Sequence, residues 1–76
     1  MGRIAALPTR GEVFVDERGG GRCLRASWHH EAGVVVLSLW QDGSCMGTFR
    51  LPAGEVPSFV ASLTQGLTDG YAAREG

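Results

Sequence analysis

Between Glu12 and Leu51 short strand-like runs, alternating with a period of two in Glu12 to Asp16 and Arg22 to His30 and apolar at both parities in Val34 to Gln41, are separated by glycine-bearing breaks, and from Ala53 onward the period lengthens to that of a helix. This pattern predicts strands followed by one helix. The chain is organised around Gly33 to Leu51, GVVVLSLWQDGSCMGTFRL, two strand-like runs joined by Asp42-Gly43. Asp-Gly suits a two-residue type I′ hairpin, whose two central residues both need positive φ. A loop of that length sets Gln41 opposite Ser44, Leu39 opposite Met46, Leu37 opposite Thr48 and Val35 opposite Arg50. Val34, Val36, Trp40, Cys45, Phe49 and Leu51 then gather on the other face, and a bulge would exchange these partners.

Upstream, Glu12 to Asp16 suits a short first strand, and Arg18-Gly19-Gly20-Gly21 must turn. The glycine triplet is not followed by a helix start or by the Lys-Ser/Thr pair of a nucleotide loop, so it reads as a hairpin connection. Arg22 to His30 alternates Leu24, Ala26 and Trp28 against Cys23, Arg25, Ser27 and His29, the pattern of a half-buried strand. Residues 1–10 show no clear period and read as an arm. After Pro52, Val56, Phe59, Val60, Leu63 and Leu67 share one helical face, with Ser58, Ser62 and Gln65 opposite. Pro57 fits a first turn. Gly66 and Gly70 are candidate stops, and Tyr71 to Gly76 reads as a frayed tail.

These elements predict an α+β fold, a four-stranded antiparallel β-meander followed by one C-terminal α-helix. The expected organisation is an arm over residues 1–10, a sheet-plus-helix domain over 11–67 and a tail over 68–76. The run Val34 to Gln41 is apolar at both parities, and such a strand is normally covered on both faces. One helix, expected to use Val56, Phe59, Val60 and Leu63, covers one face. The other is expected to meet a second copy or a partner through Val35, Leu37, Leu39 and Met46.

Composition narrows the function classes. The 76 residues, 43% hydrophobic and 20% charged, fit one small domain that buries only about 60% of its unfolded surface. No apolar run reaches the ~18 residues of a membrane span, and Ile4 to Leu7 is too short for a signal peptide, so a cytoplasmic location is expected. There Cys23 and Cys45 stay reduced. Net charge is −1 and all seven cations are Arg, so nucleic-acid binding needs arginines gathered on one face.

Catalytic chemistry has little to stand on. His29 and His30 are adjacent on a strand and point apart, and neither C-x-x-C nor H-x-x-x-H spacing occurs, so no metal or other cofactor is expected. Ser27 and His29 share a face but lack an orienting third group. The carboxylates fall mainly at turns and termini. No enzyme is expected. The remaining constellation is aromatic and cationic: Arg22, Arg25, His29, Trp40 and Arg50, the residue types from which single-stranded nucleic-acid platforms are built.

Leu24-Arg25-Ala26-Ser27-Trp28, Val35 to Trp40, Gly47-Thr48-Phe49-Arg50-Leu51 and the helix segment Phe59 to Leu63 together resemble the bacterial branch of the positive-cofactor-type transcriptional coactivators. The resemblance covers about residues 12 to 66. It implies a whirly-like single-stranded-DNA-binding fold assembled as a homodimer, with Trp40, Arg25, Ser27 and Ser38 on or near the nucleic-acid face. The binding face of that family leans on Lys, of which this chain has none, and a tight Asp-Gly turn stands where the family has a longer charged loop. The strands-then-helix order and Pro-led helix are also similar to the small BldB-like proteins of actinobacteria, which pair with regulators. The expectation is a small non-enzymatic transcriptional regulator that binds single-stranded nucleic acid. The alternative is an adaptor that docks a regulatory protein through the apolar sheet face.

Overall fold

The computed structural model describes residues 12–75; the arm expected over residues 1–10 lies outside them. Strands β1 (Glu12–Val15), β2 (Arg22–His29), β3 (Val34–Gln41) and β4 (Ser44–Pro52) form one antiparallel sheet in sequential order. Short 3-10 turns at His30–Ala32 and Ala53–Glu55 join β2 to β3 and β4 to helix α1 (Val56–Glu75). The α+β meander with a single C-terminal helix is therefore the architecture. Among the described residues no helix is long and apolar enough to cross a membrane.

The turns explain where the strands stop. Asp42 (φ 52°) and Gly43 (φ 82°) both have positive φ, the requirement of the type I′ hairpin. Gly19, Gly20 and Gly21 are also left-handed, which three residues with a Cβ would resist. Gly21 is further constrained because a Cβ there would run into the Asp42 carboxylate. The Asp42 N–H donates to the Gly21 carbonyl at 2.9 Å, tying both turns together at one end of the sheet.

Register differs from the simple hairpin in one respect. Gln41 pairs with Ser44 and Trp40 with Cys45, but Leu39 pairs with Gly47, because β4 carries a bulge at Met46. Beyond it Leu37 faces Phe49, Ser38 faces Thr48, Val36 faces Arg50 and Val35 faces Leu51. The expected pairs Leu39–Met46, Leu37–Thr48 and Val35–Arg50 are thus displaced by one. Phe49 and Leu51 cross to the side of Leu37 and Val35, while Thr48 and Arg50 cross to the other. One extra residue reverses side-chain parity along the rest of the strand.

The result is a two-sided sheet. One side is apolar, with rows Phe14–Leu24–Leu39, Ala26–Leu37–Phe49 and Trp28–Val35–Leu51, and Glu12 is its one charged residue within those rows. The reverse side carries Arg25, Ser27, His29, Ser38, Trp40, Thr48 and Arg50 together with Val13, Val15, Val34 and Val36. Only two described residues are buried, Val35 at 5% exposure and Ser38 at 8%, one under each face of the central strand β3.

Helix α1 departs from expectation twice. It passes through Gly66 and Gly70 and continues to Glu75, so neither glycine stops it, and Tyr71 to Glu75, expected to fray, are helical. A glycine within a helix costs about 1 kcal/mol relative to Ala, too little to end one flanked by good formers such as Ala72 and Ala73. Nor does α1 cover a sheet face: Phe59, Val60, Leu63, Leu67 and Tyr71 are exposed. The 3-10 turn before it is pinned by Ala53 N–H donating to Gly33 O at 2.8 Å and closed by Val56 N–H onto Ala53 O. That short, fixed connection directs the helix off its own sheet. The radius of gyration, 15.1 Å, exceeds the ~11 Å of a compact chain this long.

Candidate nucleic-acid interface

Strand alternation places Arg25 and His29 on one side of β2, and antiparallel pairing brings Ser38 and Trp40 of β3 onto the same side. The bulge adds Thr48 and Arg50 from β4. Four of the five residues nominated from sequence, Arg25, His29, Trp40 and Arg50, therefore share a face. Arg22 does not. It pairs with Gln41 on the apolar side, and its Nη1 donates to the Gly19 carbonyl at 3.0 Å, so it braces the glycine turn. Thr48 was hidden from sequence reasoning because its parity depends on the bulge.

Near the Asp42-Gly43 end of this face the Trp40 indole is held from two directions. Its Nε1–H donates to Ser38 Oγ at 2.8 Å, and the Arg25 guanidinium lies over the ring, Cζ 4.8 Å from the centroid. The attraction between a guanidinium and an indole face is worth about 0.5–1 kcal/mol at exposed sites. A buried hydroxyl that accepts from an indole two residues away fixes the ring plane against the strand. Arg50 lies diagonal to Arg25, one residue row along, and is exposed. Thr48, opposite Ser38, adds a second hydroxyl to the Arg25 row.

Charge is segregated on this sheet. Among the described residues no strand position on the Arg25–Arg50 side is a carboxylate, whereas Glu12 pairs with Ala26 on the apolar side. Glu31, in the 3-10 turn, approaches His29, its Oε2 lying 3.6 Å from Nδ1. Among the described residues the tighter ion pair is at the other end of the sheet, where Arg18 donates through Nε (3.0 Å) and Nη2 (2.9 Å) to the two Asp16 oxygens. The side-chain and backbone hydrogen bonds from Arg18 hold the Asp16 carboxyl well below the usual carboxylate range. This pair is exposed and orders the β1–β2 turn.

Of the residues expected at a subunit or partner interface, Val35, Leu37 and Leu39 lie on the apolar side by pairing, and Met46, unpaired at the bulge, lines one cavity with Phe14, Leu24 and Leu39; they differ in availability. Leu39 and Met46 are 58% and 65% exposed, whereas Val35 is buried within the chain between Trp28 and Leu51. Phe49, placed on the opposite side by the simple register, joins Leu39 here at 60% exposure. Phe14 joins from β1 at 53%. Trp28 stacks on His30, centroids 5.1 Å apart and planes 3° from parallel, so neither ring belongs to the Trp40 face. Cys23 and Cys45 are free thiols on the two strands flanking Trp40. Among the described residues no three His, Cys, Asp or Glu side chains cluster as a metal site requires. No protein-family model, curated protein or solved structure matches this chain, so the meaning of this face rests on its own geometry.

Proposed function

We propose that the protein is a small non-enzymatic, homodimeric regulator of transcription that binds single-stranded nucleic acid on the Arg25–Trp40–Arg50 side of its sheet. The observation that carries this reading is the segregation of charge: a chain of net charge −1 whose described strands keep two arginines and a histidine, and no carboxylate, on the same side as an oriented tryptophan. Bases stack on indole rings and on guanidinium planes, and arginine neutralises phosphate. Trp40 with Arg25 layered on it forms the stacking platform, and the guanidinium edge of Arg25 together with Arg50 meets the backbone. The serine and threonine hydroxyls of Ser38 and Thr48 flank that path.

The test is fluorescence titration of the full chain with a single-stranded oligonucleotide at low salt. Quenching of Trp40, lost in Trp40→Phe and weakened in Arg25→Ala, supports the reading; absence of binding at low salt overturns it. A second reading, an adaptor that docks a regulatory protein, is favoured by the exposed apolar side of the sheet. It predicts a stoichiometric protein complex that survives Arg50→Ala.

A further inference from the structure

Two apolar surfaces of this chain are complementary in kind yet do not meet. One is the open sheet side bearing Phe14, Leu39, Met46 and Phe49; the other is the α1 stripe of Phe59, Val60, Leu63, Leu67 and Tyr71. Each is the cover the other lacks, since a sheet face is ordinarily buried by an amphipathic helix. The connection between them is three residues, held at Ala53 and closed at Val56, and it sends α1 away from its own sheet. Short connections of this kind favour exchange of an element between copies over folding back.

We infer that two copies assemble by exchange, α1 of each chain seating on the apolar sheet side of the other. This inference rests on the homodimeric reading above and specifies how the dimer is built. The arrangement is isologous, so one pair of surfaces used twice closes the assembly without leaving an edge to polymerise. The exposed apolar side chains amount to roughly 900 Å² per chain at the ~150–250 Å² presented by a large side chain. A standard stable interface needs ~800 Å² per partner. The sheet side is also shaped for a helix. Gly47 has no atom within 4 Å of where its Cβ would stand. The gap it leaves among Leu24, Leu37, Leu39 and Phe49 is a groove of 330 Å³ into which a ridge of Phe59 and Leu63 can descend. The nucleic-acid face stays outside this assembly, on the reverse of the sheet.

The experiment uses full-length chain in two forms. One is isotope-labelled wild type; the other is unlabelled, with Cys23 and Cys45 changed to Ser and a nitroxide at Gln65→Cys, on the polar side of α1. Light scattering gives the mass, and relaxation enhancement in the mixed sample reports the distance between the two chains. The expected result is a dimer in which the label broadens amides of Leu24, Leu37 and Phe49 across the chain boundary. In the full chain Leu63→Asp, exposed within its own subunit, should weaken dimerisation about 10²–10⁴-fold, since the lost contact occurs twice. It should leave the circular dichroism of the sheet unchanged. A dimer with no broadening on the sheet, built by sheet-on-sheet or helix-on-helix contact, overturns the exchange alone. A monomer at micromolar concentration overturns the exchange together with the homodimer, and neither result bears on oligonucleotide binding at Trp40.

Discussion

Replacing Arg50 by alanine isolates the electrostatic part of the proposed interface. Arg50 is exposed and faces Val36 across the sheet, so its removal should alter stability by no more than about 0.5 kcal/mol. Arg25 is a poorer probe because it also lies on Trp40. Among the described residues Arg25 and Arg50 are the permanent charges on that face, so the proposed dimer would make about four phosphate contacts. For single strands the slope of log K against log salt is about −0.7 per phosphate, giving about −2.8 for four contacts and about −1.4 for two. Between 50 and 200 mM salt, affinity should therefore fall about 50-fold in the wild type and about 7-fold in Arg50→Ala. Fluorescence anisotropy of a labelled single strand at four or five salt concentrations measures both slopes, with a thermal melt as the control for folding. Equal slopes in the two proteins would falsify the placement of Arg50 on the backbone path.

Other outcomes follow from the geometry around this face and the turns. Ser38→Ala removes the acceptor of the Trp40 N–H and should cost about 1 kcal/mol, or some 4–8 °C of Tm in a domain this small. In a double-mutant cycle with Trp40→Phe the two losses should overlap, and strict additivity in denaturant melts would count against the bond. Gly21→Ala should destabilise more than Gly19→Ala: both have positive φ, worth about 1–2 kcal/mol, but only position 21 also meets the Asp42 carboxylate. Urea unfolding of the two variants side by side tests this order. For Asp16, whose carboxyl is depressed by Arg18, the pair supports folding at and above the ordinary carboxylate range near pH 3.9. That support is lost as pH falls through the lower folded-state value. Carbon-detected NMR titration should show a depressed Asp16 midpoint that rises toward the ordinary range in Arg18→Ala.

Local chemistry made much of this molecule legible. Asp42-Gly43 announces its turn because few residues tolerate positive φ, and the alternation of Arg22 to His29 gives the sidedness of Arg25 and His29 directly. The bulge at Met46 was not legible from the turn, since Met46 is as acceptable opposite Leu39 as Gly47 is. A signal did exist: setting one residue aside unites Phe49 and Leu51 with Leu37 and Val35, and Arg50 with Arg25. The helical stripe from Val56 to Leu67 was equally plain, but a periodic pattern states that a face must be buried and not what buries it. Its direction depends on the pinned turn at Ala53, a contact with Gly33 twenty residues earlier. Arg22 belongs with Leu24 by the same alternation; grouping it with Arg25 by charge overlooked that parity.

The bulge also gives the sheet a form of error detection. In a hairpin paired without it, the far half of β4 would present Thr48 and Arg50 to the oily rows and send Phe49 and Leu51 out beside Arg25. Both halves of that exchange are unfavourable at once, so a one-residue slip cannot pass as a near-native state. Removing Met46 altogether would instead restore ordinary pairing with each side chain still on its proper side. Sheet sidedness is therefore written in the count of residues between the Asp-Gly turn and Phe49 as much as in their identities, and tolerance to length changes there should follow odd and even rather than large and small.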